Sequence, residues 1–152
     1  RNPWSRAVSD YYWIMNDCKL KGSFKSYILA ENQFARVMKN YQDKTYRGDH
    51  LTCQTDFIEV NGKMELDNVL RFENLKEDFK KFSEENNLPS LPLPHAKKGR
   101  KRMNHYSHFY NTQKIELVRE RYLKDIQNFD YEFEDLRDEL SYWERLRFKL
   151  SI

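Results

Sequence analysis

The sequence predicts a single domain that is mainly helical and has only a few short strands. Apolar side chains recur at helical spacing in three stretches, at residues 4–18, 24–38 and 115–126. Between them stands an Asn61-Gly62 pair, the preferred pair for a tight hairpin turn between two strands. The chain has 152 residues, which is enough for one domain with one hydrophobic core.

The composition is very polar, yet it argues against disorder. Charged residues make up 34% of the chain and the mean hydropathy is −0.98, but aromatic residues reach 15%. The longest apolar run, residues 11–15, is too short to span a membrane, and no signal peptide is visible. Because the sequence begins with Arg1 inside a motif, we expect a preceding part of the protein to be missing, so that any membrane contact would be made through an N-terminal anchor upstream.

The first seventeen residues read as a loop that turns into a helix. Asn2 can cap the first turn, and Pro3 suits the first helical position. Free backbone N–H groups and the positive dipole end would favour an anion, which Arg1 and Ser9 could also reach. An ordinary surface helix is the alternative. The apolar stripe expected for this first helix comprises Trp4, Val8, Tyr11, Met15 and Cys18.

The middle of the chain contains a second helical stretch, a polar loop, a hairpin and another helix. Ser23 caps a helical stretch with Phe24, Tyr27, Ile28, Phe34, Val37 and Met38 inward, and residues 40–55 form a loop. A hairpin over residues 57–63 precedes a short strand at residues 68–72 and a helix at residues 75–86. A proline-spaced connector follows at residues 88–95.

Positive charge is concentrated in one loop. No Asp or Glu occurs between Asn86 and Ile115, whereas residues 97–102 contain five cations around Gly99. A solvated charge run needs no function, and a nucleic-acid patch would need a longer basic surface than the acidic C-terminal region allows. We therefore predict no nucleic-acid partner.

A long helix is predicted near the end of the chain. Thr112 is the expected cap, the helix runs to about Phe129, and its core stripe is Ile115, Val118, Tyr122 and Ile126. Residues 135–150 read as an additional helix that packs on the domain or binds a partner. Cys18 and Cys53 show no metal-ligand spacing, so no metal is predicted, and a disulfide and two free thiols both remain open.

Three segments resemble the sulfotransferases that use 3′-phosphoadenosine 5′-phosphosulfate, most closely the Golgi-type carbohydrate-modifying branch. The opening Arg-x-Pro-x-x-Arg-x-x-Ser-x-Tyr is similar to that family's 3′-phosphate motif. Residues 70–79 resemble its strand-to-helix segment, and residues 110–133 resemble the end of its domain, including a Tyr-x-x-Asp-x-x-x-Phe-x-Tyr pattern. The resemblance implies an α/β fold of the P-loop-like sulfotransferase type, a parallel sheet flanked by helices, over residues 1–133. The strand-rich N-terminal part is expected to be missing, and residues 134–152 are expected to form an added C-terminal helix.

The resemblance also implies site residues. Arg1 and Ser9 would bind the 3′-phosphate of the co-substrate 3′-phosphoadenosine 5′-phosphosulfate, while Arg6 would support the loop and face the phosphate. The basic loop would act as a lid, with Lys98, Arg100 and Arg102 as further nucleotide-binding candidates. His50 lies in a segment that resembles one near the acceptor cleft, although Cys53 replaces the usual proline there. His50 is thus the candidate residue for binding a carbohydrate acceptor.

The implied activity is sulfate transfer to a hydroxyl, with a nucleotide sulfate donor and a carbohydrate acceptor as partners. The family's phosphosulfate-binding loop has no counterpart here, so we expect this chain alone to be inactive. The compartment depends on the source: Golgi in a eukaryote, cytoplasm in a bacterium or virus. Two alternatives stay open, a polyanion-binding module using residues 97–102 and a helical interaction protein using residues 135–152.

Overall fold

The computed structural model describes residues 1–89, 92–94 and 105–139. These residues are mainly helical, as predicted. In chain order the helices are α1 (Pro3–Asp17), α2 (Phe24–Ile28), α3 (Gln33–Lys39), α4 (Leu75–Glu85), α5 (Thr112–Arg121) and α6 (Leu123–Asn128). One antiparallel pair of strands, β1 (Glu59–Val60) and β2 (Lys63–Met64), is the sheet found in this part of the chain. The five 3-10 turns there are Gly48–Leu51, Thr55–Phe57, Phe72–Asn74, Tyr106–Phe109 and Arg137–Glu139.

Helix α1 forms the centre of the core. The side chain of Asn2 caps it by accepting hydrogen bonds from the backbone N–H groups of Trp4 and Ser5, which confirms the predicted cap. Trp4 is 1% exposed and donates through Nε1 to the carbonyl of Ile115 at 3.1 Å. Tyr110 Oη donates to the carbonyl of Trp4 at 2.8 Å. These two bonds fasten the first turn of α1 to the start of α5.

The second helical stretch is two helices rather than one. Ser23 caps α2 as predicted, and all six residues expected to point inward are buried. The helix ends because Ala30 and Asn32 adopt positive φ angles of 52° and 51°, which turn the chain before α3 begins.

The hairpin is confirmed, but the strand predicted at residues 68–72 is wrong. Glu59 pairs with Met64 and Val60 with Lys63, with Asn61 and Gly62 both at positive φ. Residues 68–71 are irregular instead, and Val69 is 49% exposed. The backbone N–H of Arg71 donates to Asp78 Oδ2 at 2.8 Å, so a side chain satisfies a donor that a neighbouring strand would have taken.

The long C-terminal helix is also divided, and its cap is one residue earlier than predicted. Asn111, not Thr112, caps α5 by accepting from the N–H of Lys114 at 2.9 Å. A break at Tyr122 separates α5 from α6, yet the expected stripe faces inward: Ile115, Val118 and Tyr122 are buried and Ile126 is partly buried.

The segment after α6 returns to the turn Tyr106–Phe109. Tyr131 is buried, the N–H of Glu134 donates to Tyr106 Oη at 2.9 Å, and the N–H of Leu136 donates to Ser107 Oγ at 3.2 Å. The additional helix predicted at residues 135–150 lies largely outside the described residues, as does the basic loop 97–102.

Replacing Asn2 with Ala should destabilise the protein by about 1–2 kcal/mol, because two N–H groups lose their acceptor. The change also removes the bond that Asn2 Nδ2 donates to the carbonyl of Glu132 at 3.1 Å. Urea unfolding followed by circular dichroism measures the loss. Asn2→Ser, which keeps an accepting oxygen, is the matched control and should lose less. Equal stability of Asn2→Ala and wild type would contradict this role of the cap.

Candidate functional site

The start of α1 is the place where the predicted phosphate-binding residues lie. Arg1 is held through its backbone, because its amino nitrogen donates to Gln54 Oε1 at 2.9 Å and its carbonyl accepts from Gln54 Nε2 at 2.8 Å. Its guanidinium reaches Ser5 Oγ at 3.3 Å and lies over the ring of Phe72 at 4.4 Å. Gln54 therefore fixes the backbone of Arg1 and, with it, the position from which the Arg1 side chain extends.

The expectation of free backbone N–H groups at this helix start is wrong. The N–H groups of Trp4 and Ser5 donate to Asn2 Oδ1, and that of Arg6 donates to the Asn2 carbonyl at 2.9 Å. The N–H of Asn2 itself donates to Glu73 Oε1 at 2.8 Å. An anion at this end of α1 would therefore be bound by side chains rather than by the backbone.

Ser5 and Ser9 lie on the outward side of α1. Both are partly exposed, and residues four apart on a helix have their Cβ atoms about 5–6 Å apart. Within the described residues the Ser9 hydroxyl has no hydrogen-bond partner. The Arg1 guanidinium already touches Ser5, so one phosphate group could contact Arg1, Ser5 and Ser9 together.

Arg6 is turned toward the protein and braces the loop that follows α3. Its Nη1 donates to the carbonyl of Thr52 at 3.0 Å and its Nη2 to that of His50 at 3.3 Å. Its Nε lies 3.4 Å from Asp10 Oδ2, and its Nη1 lies 3.8 Å from Asp125 Oδ2. Arg6 thus supports this loop through hydrogen bonds to two of its carbonyls, and a contact with phosphate stays a prediction.

Asp125 is the fully buried carboxylate behind this arrangement. It accepts hydrogen bonds from the N–H groups of Gln54 and Thr55, both at 2.8 Å, and from Thr55 Oγ1 at 2.8 Å. Gln54 Nε2 adds a fourth bond at 3.3 Å. A buried charge needs such compensation, since desolvation would otherwise be very costly. Asp125 consequently fixes the turn Thr55–Phe57 and, through Gln54, the position of Arg1.

His50 lies beside α1 rather than loose in solvent. Its Nδ1 is 3.2 Å from Asp10 Oδ2, and its ring stacks on Trp13 with a centroid separation of 5.0 Å and an interplanar angle of 22°. Its carbonyl accepts from Tyr122 Oη at 3.0 Å as well as from Arg6. The predicted acceptor-binding residue His50 therefore lies against the part of α1 that carries Ser9, because Ser9 precedes Asp10 and lies one turn before Trp13.

The remaining predictions concern the basic loop, the two cysteines, metal binding and membrane-spanning helices. Lys98, Arg100 and Arg102 lie outside the described residues. Cys18 and Cys53 are free thiols, and burial is the main reason why the pKa of each is raised. In the described ranges, His, Cys, Asp and Glu side chains form no group of three or more that could hold a metal ion. No described helix has the length and apolar character needed to cross a bilayer.

No protein-family model matches this chain, and neither the curated proteins nor the solved structures searched include a match.

Three residues around the start of α1 could not be assigned from sequence patterns. Ser5 has no signal beyond its spacing from Ser9, and nothing in the sequence near Gln54 indicates its contacts with Arg1. Asp125 did leave a signal, because it follows Val118 and Tyr122 at helical spacing. A carboxylate in an otherwise apolar stripe indicates a buried acceptor with several donors around it.

Replacing Asp125 with Asn should destabilise the protein by about 3 kcal/mol or more. Both carboxylate oxygens accept hydrogen bonds, and the NH₂ group of Asn would put a donor against donors at one of these positions. Thermal and urea unfolding measure the effect. Asp56→Asn is the matched control: it removes an exposed bond with Lys124 and should cost far less. A loss no larger than that of the control would contradict the role given to Asp125.

Stability should fall as the pH rises from about 10 to about 12. Burial raises the pKa of Tyr122 to about 12, whereas the residue titrates near 10 when unfolded. Between these values the unfolded chain holds fewer protons than the folded one, so the stability contributed below pH 10 is lost as the pH rises. Unfolding midpoints measured across this range, with Tyr122→Phe for comparison, test the sign. A Tyr122→Phe protein with undiminished alkaline sensitivity would show that other tyrosines cause it.

Proposed function

We propose that this chain contributes the 3′-phosphate-binding part of a sulfotransferase that uses 3′-phosphoadenosine 5′-phosphosulfate and transfers sulfate to a hydroxyl of a carbohydrate. In this proposal the chain belongs to a P-loop-like sulfotransferase fold. Arg1 and Ser9 bind the 3′-phosphate, and Ser5 adds a third contact. Arg6 supports the site from the protein side through its hydrogen bonds to the loop after α3.

The observation that carries the proposal is the convergence of the similar segments on the start of α1. Glu73, from the segment at residues 70–79, accepts the N–H of Asn2, and Tyr131 Oη donates to the same carboxylate at 3.3 Å. Asp125, from the C-terminal segment, binds Gln54, which in turn holds Arg1. Segments that are far apart in the sequence thus support one short stretch of backbone, and a binding site at this position would need a backbone fixed in this way.

The charges around this stretch favour an anion at the outer side of α1. The Arg1 guanidinium lies over Phe72 and reaches Ser5 Oγ, which is on the outer side of α1, and Arg6 faces Asp10 and Asp125 within the protein. Glu73 accepts the N–H of Asn2, and its negative charge would repel a phosphate placed beside it. We therefore place the phosphate on the side of Ser5 and Ser9.

Calorimetric titration with adenosine 3′,5′-bisphosphate tests the proposal, with 5′-AMP as the ligand that lacks the 3′-phosphate. Binding should favour the bisphosphate and weaken about tenfold or more in Arg1→Ala and Ser9→Ala, because each loses a hydrogen bond to a charged group. Ser9→Thr keeps the hydroxyl and should retain more affinity. Arg119→Ala removes an exposed cation on α5 and should bind like wild type.

Equal binding of both nucleotides, or a bisphosphate affinity unchanged in Arg1→Ala and Ser9→Ala, would contradict this site. Titration with heparin tests the alternative function, binding of a polyanion. Salt-sensitive heparin binding without any nucleotide preference would favour the polyanion-binding module.

A further inference from the structure

The tip of the hairpin joins two groups that can react with each other. Asn61 is the one asparagine of this sequence that a glycine follows. The backbone nitrogen of the next residue and the side-chain carbon Cγ of an asparagine can close a five-membered ring. Gly62 has no Cβ, so access to its nitrogen is less hindered than at any other residue type. The pair Asn61-Gly62 is therefore a candidate site of intramolecular chemistry.

Neither reacting group is held in place by the protein. Asn61 and Gly62 are exposed, and in the described part of the chain neither the Asn61 side chain nor the Gly62 N–H makes a hydrogen bond. A Cβ added at Gly62 would have Glu59 Oε1, at 3.9 Å, as its one neighbour within 4 Å apart from adjoining residues. The two groups can thus meet each other, and water, without the loss of a contact.

The backbone of the tip can change its conformation at small cost. The strands β1 and β2 form two residue pairs, and a two-stranded hairpin of this kind is marginally stable by itself. Val60 is 60% exposed and Met64 is 40% exposed, so little apolar burial supports the pairing. Few interactions therefore resist the backbone rotation at Asn61 that brings its Cγ to the nitrogen of Gly62.

We propose that Asn61 is a site of spontaneous deamidation in the folded protein. A base in solution removes the proton from the Gly62 nitrogen, which bonds to Asn61 Cγ. The side-chain nitrogen leaves as ammonia after it takes up a proton, and a cyclic succinimide remains. Water then opens the ring at either carbonyl carbon to give aspartate or isoaspartate. The net change is the uptake of one water and the release of one ammonia, and it does not depend on the proposed function.

Both products change the hairpin. Each adds a carboxylate two residues from Glu59, whose own carboxylate lies 2.6 Å from Lys124 Nζ. In isoaspartate the main chain also runs through the former side chain, which adds one carbon between the two strands. The register of a hairpin is set by the length of its turn, so the isoaspartyl form cannot keep the pairing of Val60 with Lys63.

A simpler interpretation is that the turn protects the pair. Asn61 and Gly62 have φ angles of 52° and 76°, and a turn held firmly in this conformation would prevent the rotation that ring closure needs. This interpretation predicts that folding slows the reaction strongly. The proposal predicts that folding slows it little, so the rate in the folded protein decides between them.

Incubation of the intact chain in mildly alkaline buffer, followed by peptide mapping with mass spectrometry, gives the first test. Asn87 is the internal control, because it is exposed and has a similar φ of 53° but precedes Leu88. Asn61 should be converted at least about tenfold faster than Asn87, which corresponds to a barrier lower by about 1.4 kcal/mol. Electron-transfer fragmentation identifies the isoaspartyl product. Equal rates at Asn61 and Asn87 would overturn the proposal.

The same incubation in guanidinium chloride gives the rate in the unfolded chain. The folded protein should react at Asn61 within about tenfold of that rate, and a larger reduction would overturn the proposal in favour of a protective turn. The variant Gly62→Ala tests the mechanism in guanidinium chloride, where the strain of Ala at a positive φ plays no part. It should react about tenfold more slowly than the wild type, because the added Cβ hinders the nitrogen. An unchanged rate would exclude the ring closure.

Discussion

The carboxylate of Asp125 is the constraint on which this structure depends. It lies fully buried in α6 and takes hydrogen bonds from two backbone N–H groups, one hydroxyl and one amide of Gln54 and Thr55. A carboxylate in the interior is tolerable only when such donors surround it. The loop before β1 must therefore adopt one conformation, and that conformation brings Gln54 to Arg1.

Arg6 extends the same constraint from the core to the surface of α1. Its guanidinium lies between Asp125 and Asp10 and donates to the carbonyls of Thr52 and His50. Positive charge is thus balanced inside the protein, and the planar group can bind several acceptors at once in a way that a lysine could not. The result is a continuous chain of polar contacts from the buried Asp125 to the partly exposed ring of His50.

Local signals in the sequence predicted the local structure well and the long-range structure poorly. Asn2, Ser23 and the Asn61-Gly62 pair act through neighbouring backbone atoms, so their roles as caps and turn could be read directly. The strand at residues 68–72 failed because a strand depends on a partner elsewhere in the chain. In the site, the placement of Arg1 and Ser9 near one helix start followed from spacing. The contacts of His50 with Asp10 and of Arg6 with Thr52 join residues about forty apart, and no periodicity in the sequence could have shown them.

The hydrogen bonds that hold the backbones of His50 and Arg1 lower the entropic cost of binding a ligand there. Ordering a flexible side chain on binding costs about 0.5–1.5 kcal/mol, and a mobile loop costs more. Here the loop that carries His50 and the backbone of Arg1 are already ordered by Gln54, Arg6 and Tyr122. A ligand on the outer side of α1 would spend little of its interaction energy on immobilising the protein, and its affinity would be set mainly by the few polar atoms it touches there.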